Sequence, residues 1–286
     1  MKKLSLFLII VGLVCFVACK KEKDDPKPKE PITAQKAMEA LKEFAQSNGQ
    51  FDATVKESGN IVDETGLTPG KKSHGRGYPV VSCEAQGDGT WLVTCDYGPT
   101  LIPCDDGHFR RGIIKIVTTG FFSTPGTVMT VTFDDFYQKG DWLALEYKVD
   151  GTQVITHLSS NLVEDYLYSV TVTDGMITYN TKQIHYSEAT IRALLPSTEL
   201  CENQWYIIGE WNGISSDEVP YTLTADSTTP LHYRVCCHYF QDGILNVDVE
   251  GLQPFSIDYG YVEEEADCEQ YAQINYPGLS PITFKM

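Results

Sequence analysis

No stretch of this chain is apolar for long enough to cross a membrane as a helix. The longest apolar run, residues 4–18, falls short of the ~20 residues that a span requires. Positive charge is scarce: 22 Lys and Arg stand against 39 Asp and Glu, a formal net charge of −17. A balance this acidic excludes nucleic acid as a partner, because phosphates demand a basic patch. It also works against adhesion to an anionic lipid surface. There is no GxSxG, no HExxH and no Gly-rich loop leading into a helix. There is no CxxC, and no close-spaced set of His and Cys suited to a metal. No enzyme activity, cofactor or metal is therefore expected. Helix-length patterns are absent from residue 78 onwards, which excludes parallel βαβ architectures.

The most informative stretch is at the start. Lys2 and Lys3 precede the apolar run, which ends in Phe16-Val17-Ala18-Cys19. A short apolar run behind two lysines is a secretory h-region. A small residue directly before the cysteine resembles the bacterial lipobox, which implies that residues 1–18 are removed and that Cys19 becomes the acylated N-terminus. Cys15 follows the bulky Val14 and would cut the h-region short, so Cys19 is preferred. Acyl chains contribute ~0.8 kcal/mol per buried CH₂, so two or three of them make a lasting anchor. The expected membrane contact is through this lipid. Residues 19–31 hold Lys, Glu, Asp and Pro and read as a flexible tether. Their acids resemble the surface-export signal of Bacteroidota lipoproteins.

Residues 32–77 read as a helix followed by a loop. Thr33 is a candidate N-cap for apolar residues at helical spacing (Ala37, Met38, Leu41, Phe44, Ala45), and Ser47-Asn48-Gly49 is expected to end the helix. From 78 to 286 the period changes to two. Met129, Val131 and Phe133 alternate with threonines, as do Val170 and Val172, and Leu245, Val247 and Val249 alternate with Asn246 and Asp248. One apolar and one polar face mark antiparallel strands buried on a single side. Asp88-Gly89, Asp106-Gly107, Asp150-Gly151, Asp174-Gly175, Asn212-Gly213 and Asp242-Gly243 have the chemistry of tight hairpin turns. The expected fold is mainly β, with long antiparallel strands in a sandwich or an extended meander and one short N-terminal helix.

An internal echo links 78–110 with 232–286, two segments that read as related halves. In each, a cysteine (Cys83, Cys237) precedes an Asp-Gly pair, a strand, an Asp-Tyr-Gly (Asp96-Tyr97-Gly98, Asp258-Tyr259-Gly260) and a second cysteine (Cys104, Cys268). Both Asp-Tyr-Gly segments are expected to end strands, with the glycine supplying backbone freedom. The candidate disulfides are Cys83–Cys104 and Cys237–Cys268, and Cys95 is expected to be a buried thiol. These motifs, with residues 104–112 and Pro125-Gly126, resemble a group of uncharacterised Bacteroidota outer-membrane lipoproteins of β-rich type. The resemblance implies an outer-membrane, lipid-anchored location, periplasmic or surface-exposed, and β character; it implies no catalytic residues.

Four constellations have chemical interest. Asp258 with the acids of 263–269 offers oxygen ligands but fits no calcium-loop spacing, and a solvated turn explains it. His232, Cys236 and His238 share strand parity, yet at ~3.3 Å per residue the two histidines lie too far apart for one ion. Asp134-Asp135 could suggest the paired acids of a glycosidase, but they read as the end of a hairpin. Trp91 and Trp142, beside turns, are the candidate ligand-facing aromatics. The expected function is non-catalytic binding of a glycan or an envelope partner. The alternatives are a fimbria-like assembly subunit and a glycan hydrolase.

Overall fold

The computed structural model describes residues 32–73, 79–140, 145–158, 166–196, 203–234, 237, 240–260 and 271–285. Cys19, Trp142, Cys236, His238, the acids of 263–269 and Cys268 lie outside the described residues. Residues Ile32–Met286 form one compact unit. They comprise α1 (Ala34–Thr65) followed, among the described residues, by sixteen strands in one antiparallel sheet. The strands are β1 (Gly70–Ser73), β2 (Val80–Ala85), β3 (Trp91–Asp96), β4 (Ile102–Pro103) and β5 (His108–Thr118). Then come β6 (Val128–Gly140), β7 (Tyr147–Leu158), β8 (Tyr166–Tyr179), β9 (Lys182–Leu195) and β10 (Gln204–Ile214). The last six are β11 (Pro220–Ala225), β12 (Leu231–Arg234), β13 (Gly243–Val249), β14 (Phe255–Tyr259), β15 (Tyr271–Asn275) and β16 (Ile282–Lys285). Neighbours in the sheet follow chain order except for two short strands: among the described residues β4 pairs with β5 alone, and β12 sits on β10 beside β11. Among the described residues the arrangement is a meander, open at β1 and β16, and not a sandwich.

The helix is twice as long as its pattern predicts. Thr33 does cap it, accepting from the Lys36 amide, but the chain runs through Gly49 to a left-handed Gly66. A glycine inside a helix costs about 1 kcal/mol relative to alanine, and burial against the sheet outweighs that. The periodicity fades after residue 47 because this part of the buried face is polar: Ser47, Gln50, Thr54 and Ser58 are all buried. The sheet answers with polar partners. Gln138 on β6 donates to the Gln50 carbonyl at 2.6 Å, and Gln153 on β7 donates to the Phe51 carbonyl and accepts from Thr54. Gly59 serves a close approach, since a Cβ there would lie 2.8 Å from the Phe122 ring.

Strand parity is as expected: Met129, Val131, Val170, Val172, Leu245, Val247 and Val249 all point into the core. The Asp-Gly pairs divide. Asp88-Gly89 and Asp106-Gly107 form hairpin tips, with Asp88 accepting from the Thr90 amide and Asp106 from the His108 amide. Asp150-Gly151 and Asp174-Gly175 do not turn the chain. They are β-bulges inside β7 and β8, face to face, with Gly151 at φ +121° and Asp174 at +51°. Gly112 opposite Asp135 is a third bulge, so Asp134-Asp135 lies within β6 and not at a hairpin end. A positive φ suits a tight turn and a bulge equally, and only the strand pairing tells them apart. Bulges bend strands, and the bent sheet contacts the helix from β2, β7, β9 and β11. Gly70–Ser73, expected to be loop, adds the edge strand β1 through pairing with β2.

Candidate functional site

The side of the sheet that faces α1 holds the buried charges. Glu43 on the helix is fully buried and receives Lys182 at 3.0 Å, the Tyr179 hydroxyl at 2.8 Å and both the amide and hydroxyl of Ser216. Burial alone would raise its carboxyl, but these donors outweigh it and hold the group below its ordinary value. Asp52 meets Arg192 at 2.6 Å, and Arg192 also binds Glu188 on its own strand. Glu57 accepts from the Tyr97 hydroxyl and lies 3.7 Å from Arg110. Three helix carboxylates are thus each matched to a cation of the sheet. A buried charge needs such a partner, so these groups fasten α1 to the sheet.

The third of these pairs borders a cavity of about 580 Å³ at the C-terminal end of α1, lined in part by Glu57, Asn60, Glu64, Cys104 and Asp106. Its lining brings a thiol and several carboxyl groups together. Burial pushes the Cys104 thiol up despite the opposing Arg110 guanidinium, and burial pushes Cys95 up to about 12. A nucleophilic cysteine needs the opposite shift. Asp106 would be raised by burial, but His108 and a two-pronged bond from the fully buried Arg110 hold it well below the usual carboxylate range. It stays ionised, whereas a general acid at neutral pH requires a raised value. Among the described residues no three His, Cys, Asp or Glu converge to hold a metal.

The residues singled out from sequence are scattered by the fold. Cys83, on β2, is buried, and Cys104 lies in the β4–β5 turn, with its thiol directed at the Ile102 carbonyl. Cys83, Cys95 and Cys104 are thiols, so the expected 83–104 disulfide is not formed. The reason is register: Cys83 pairs across to Val93 on β3, and Cys104 belongs to the separate hairpin that follows. Cys237 is disulfide-bonded, to a cysteine outside the described residues. Trp91 is partly buried and packs against the core, and Trp205 and Trp211 are core residues. His232 stacks on Tyr206 and bonds Gln204.

What the sequence reading passed over is the outer face of β9–β15. Two lateral rows of short polar side chains cross it. Ser187, Asn212, Thr222 and Asp248 stand opposite one another on β9, β10, β11 and β13. Thr224, Asn246, Ser256 and Asn275 do so on β11, β13, β14 and β15. Two shallow grooves, of about 450 and 500 Å³, meet at Thr222 and follow these rows. The first row is partly satisfied within itself, for Thr222 donates to the Asn212 side chain at 2.7 Å. The second makes no side-chain hydrogen bond to any described residue. The available signal was the presence of Asn and Asp in strands that otherwise favour Thr and Val. No family model, no curated protein and no solved structure matches this chain.

Proposed function

We propose that this chain is a lipid-anchored protein of the bacterial envelope, held through Cys19, that binds a glycan or an envelope partner without catalysing a reaction. The observation that carries the binding role is the division of labour between the two sides of the sheet. On the inner side Glu43, Asp52 and Glu57 and their cations are engaged in holding α1, and at the helix-end cavity the Cys104 thiol is raised and the Asp106 carboxyl lowered, shifts unsuited to a nucleophile and to a general acid. The outer face retains polar side chains with hydrogen-bonding capacity to offer. Among the described residues no helix is long and apolar enough to cross a membrane; the attachment this reading rests on is the lipid on Cys19. In a detergent phase separation the intact protein is expected to enter the detergent phase, and Cys19→Ala is expected to remain an aqueous, uncleaved precursor. Retention of Cys19→Ala in the detergent phase, with Cys15→Ala released instead, would reject the anchor.

An assembly role has one specific observation in its favour. Among the described residues the sheet ends at β16, with Ile282 and the nearby Leu279 well exposed. An open edge can accept a strand from another chain. Thr283→Cys on β16 would give a disulfide-linked oligomer under oxidation if edges meet; a product that stays monomeric counts against assembly at this edge.

A further inference from the structure

We propose that the row Thr224, Asn246, Ser256 and Asn275 is a binding site for an extended, uncharged carbohydrate chain. The proposal rests on the binding role argued above and narrows it to one ligand class and one place. The row runs across β11, β13, β14 and β15, perpendicular to the strands. With strands ~4.8 Å apart it spans roughly 14 Å, the reach of a short oligosaccharide. Each position offers a hydroxyl or a carboxamide, both of which donate and accept. That is the pairing a polyol needs, since every sugar hydroxyl also does both.

Three comparisons on the same sheet support the choice. First, the other half of the outer face also carries a polar row, Thr132, Thr152 and Thr173 on β6, β7 and β8. Threonine there needs no further explanation, because it is a favoured strand residue. Asparagine is disfavoured in strands, and two of the four positions in the proposed row hold it. Second, the Asn212 side chain in the neighbouring row is bonded to Thr222 and Glu210, whereas the side chains of Asn246 and Asn275 bond no described residue. Third, Pro254 borders the groove and presents an apolar surface against which the C–H face of a sugar ring can rest.

The alternatives fit less well. A peptide strand would be recognised at the sheet edge, where backbone groups are unpaired, and not on the face. A lipid would require an apolar groove. A sulfated or uronic-acid polymer would meet Asp248 beside the row and a chain carrying a net charge of −17, with no cation in the groove lining to offset it.

The test is affinity electrophoresis of the full chain in non-ionic detergent, in gels containing dextran, mannan or, as the anionic control, alginate. Retardation by dextran or mannan is expected. The double variant Asn246→Ala/Asn275→Ala should weaken it by at least about tenfold with an unchanged melting temperature, and Thr132→Ala should leave it intact. Retardation that survives the double substitution would place binding elsewhere, overturning this site while the binding role stands. Retardation by alginate alone would overturn the uncharged class. Absence of retardation by all three would overturn the glycan assignment, leaving an envelope protein as the partner of the proposed function.

Discussion

The two Asp-Tyr-Gly segments show how far identical sequence carries identical structure. Both end a strand, β3 and β14, and both glycines take a left-handed backbone, at φ +77° and +78°. There the likeness stops. Tyr97 is buried and donates to Glu57 of the helix, which brings that strand end into the cluster of Glu57, Arg110, Asp106 and His108. Tyr259 packs its ring against Phe240 at 5.3 Å. Asp96 accepts from the Gly98 amide at 2.8 Å, whereas Asp258 lies near Asp242. Space differs too: a Cβ on Gly98 would meet nothing within 4 Å, but one on Gly260 would lie 2.6 Å from the Gln241 carbonyl oxygen. Nor do the flanking elements correspond. Between the Asp-Gly pair and the Asp-Tyr-Gly the first segment has one strand, and the second has the hairpin of β13 and β14. The shared sequence specifies a strand end, and its surroundings decide what that end is attached to.

The sharpest way to break the comparison is to remove the attachment. Arg110→Ala strands Asp106 and Glu57 without their cation and should cost about 3–5 kcal/mol in urea unfolding; a loss under about 1 kcal/mol would show that the cluster does not hold the first strand end. Next come the glycines. Gly260→Ala combines a left-handed alanine with a steric clash and should cost more than about 2 kcal/mol, against about 1 kcal/mol for Gly98→Ala. Equal costs would mean that backbone conformation alone matters at both ends.

The phenols differ by a smaller amount. Tyr97→Phe removes a hydrogen bond to a carboxylate and should lower stability by about 1.5 kcal/mol, with Tyr259→Phe within about 0.5 kcal/mol of the parent. Burial raises both phenols, Tyr259 to about 12. A fluorescence or absorbance titration that finds either ionised below pH 10 would contradict the packing described.

The smallest effect is one of pH. Burial, with Asp242 nearby, raises the Asp258 carboxyl, so its charged form is a burden on the fold above that value and is relieved as the pH falls. Asp258→Asn should therefore raise the unfolding midpoint slightly at pH 7, a gain that disappears below about pH 4. Asp106 has the opposite sign. Its depressed value means that its contribution is complete above the ordinary carboxyl value of about 3.9 and drains away below it. Asp106→Asn should destabilise at pH 7 and progressively less under acid, and matching pH profiles for the two variants would refute the contrast.

Much of the fold was legible in local chemistry. Alternation assigned the faces of β6, β8 and β13 because one side of each strand is buried and the other is wet. Thr33 marked the start of α1 because a hydroxyl there satisfies an amide that the helix cannot. The candidate site was less legible. Asn246 and Asn275 lie 29 positions apart in the chain, and only the pairing of β13, β14 and β15 brings them into one row. The cysteines misled for the same reason, since order along the chain does not measure distance between sulfurs.

By itself, then, the sequence determined the strand parity, the antiparallel class and the helix start, all of which depend on contacts within a few residues. Tertiary structure decided the rest. The second half of α1 is helical with the support of Gln138 and Gln153, roughly a hundred positions away, which bond the Gln50 and Phe51 carbonyls and the Thr54 hydroxyl. Asp150-Gly151 and Asp174-Gly175 are bulges and not turns because β7 and β8 pair on both sides of them. In each case a local preference was compatible with two conformations, and the hydrogen bonds and burial supplied by a distant strand stabilised one of them.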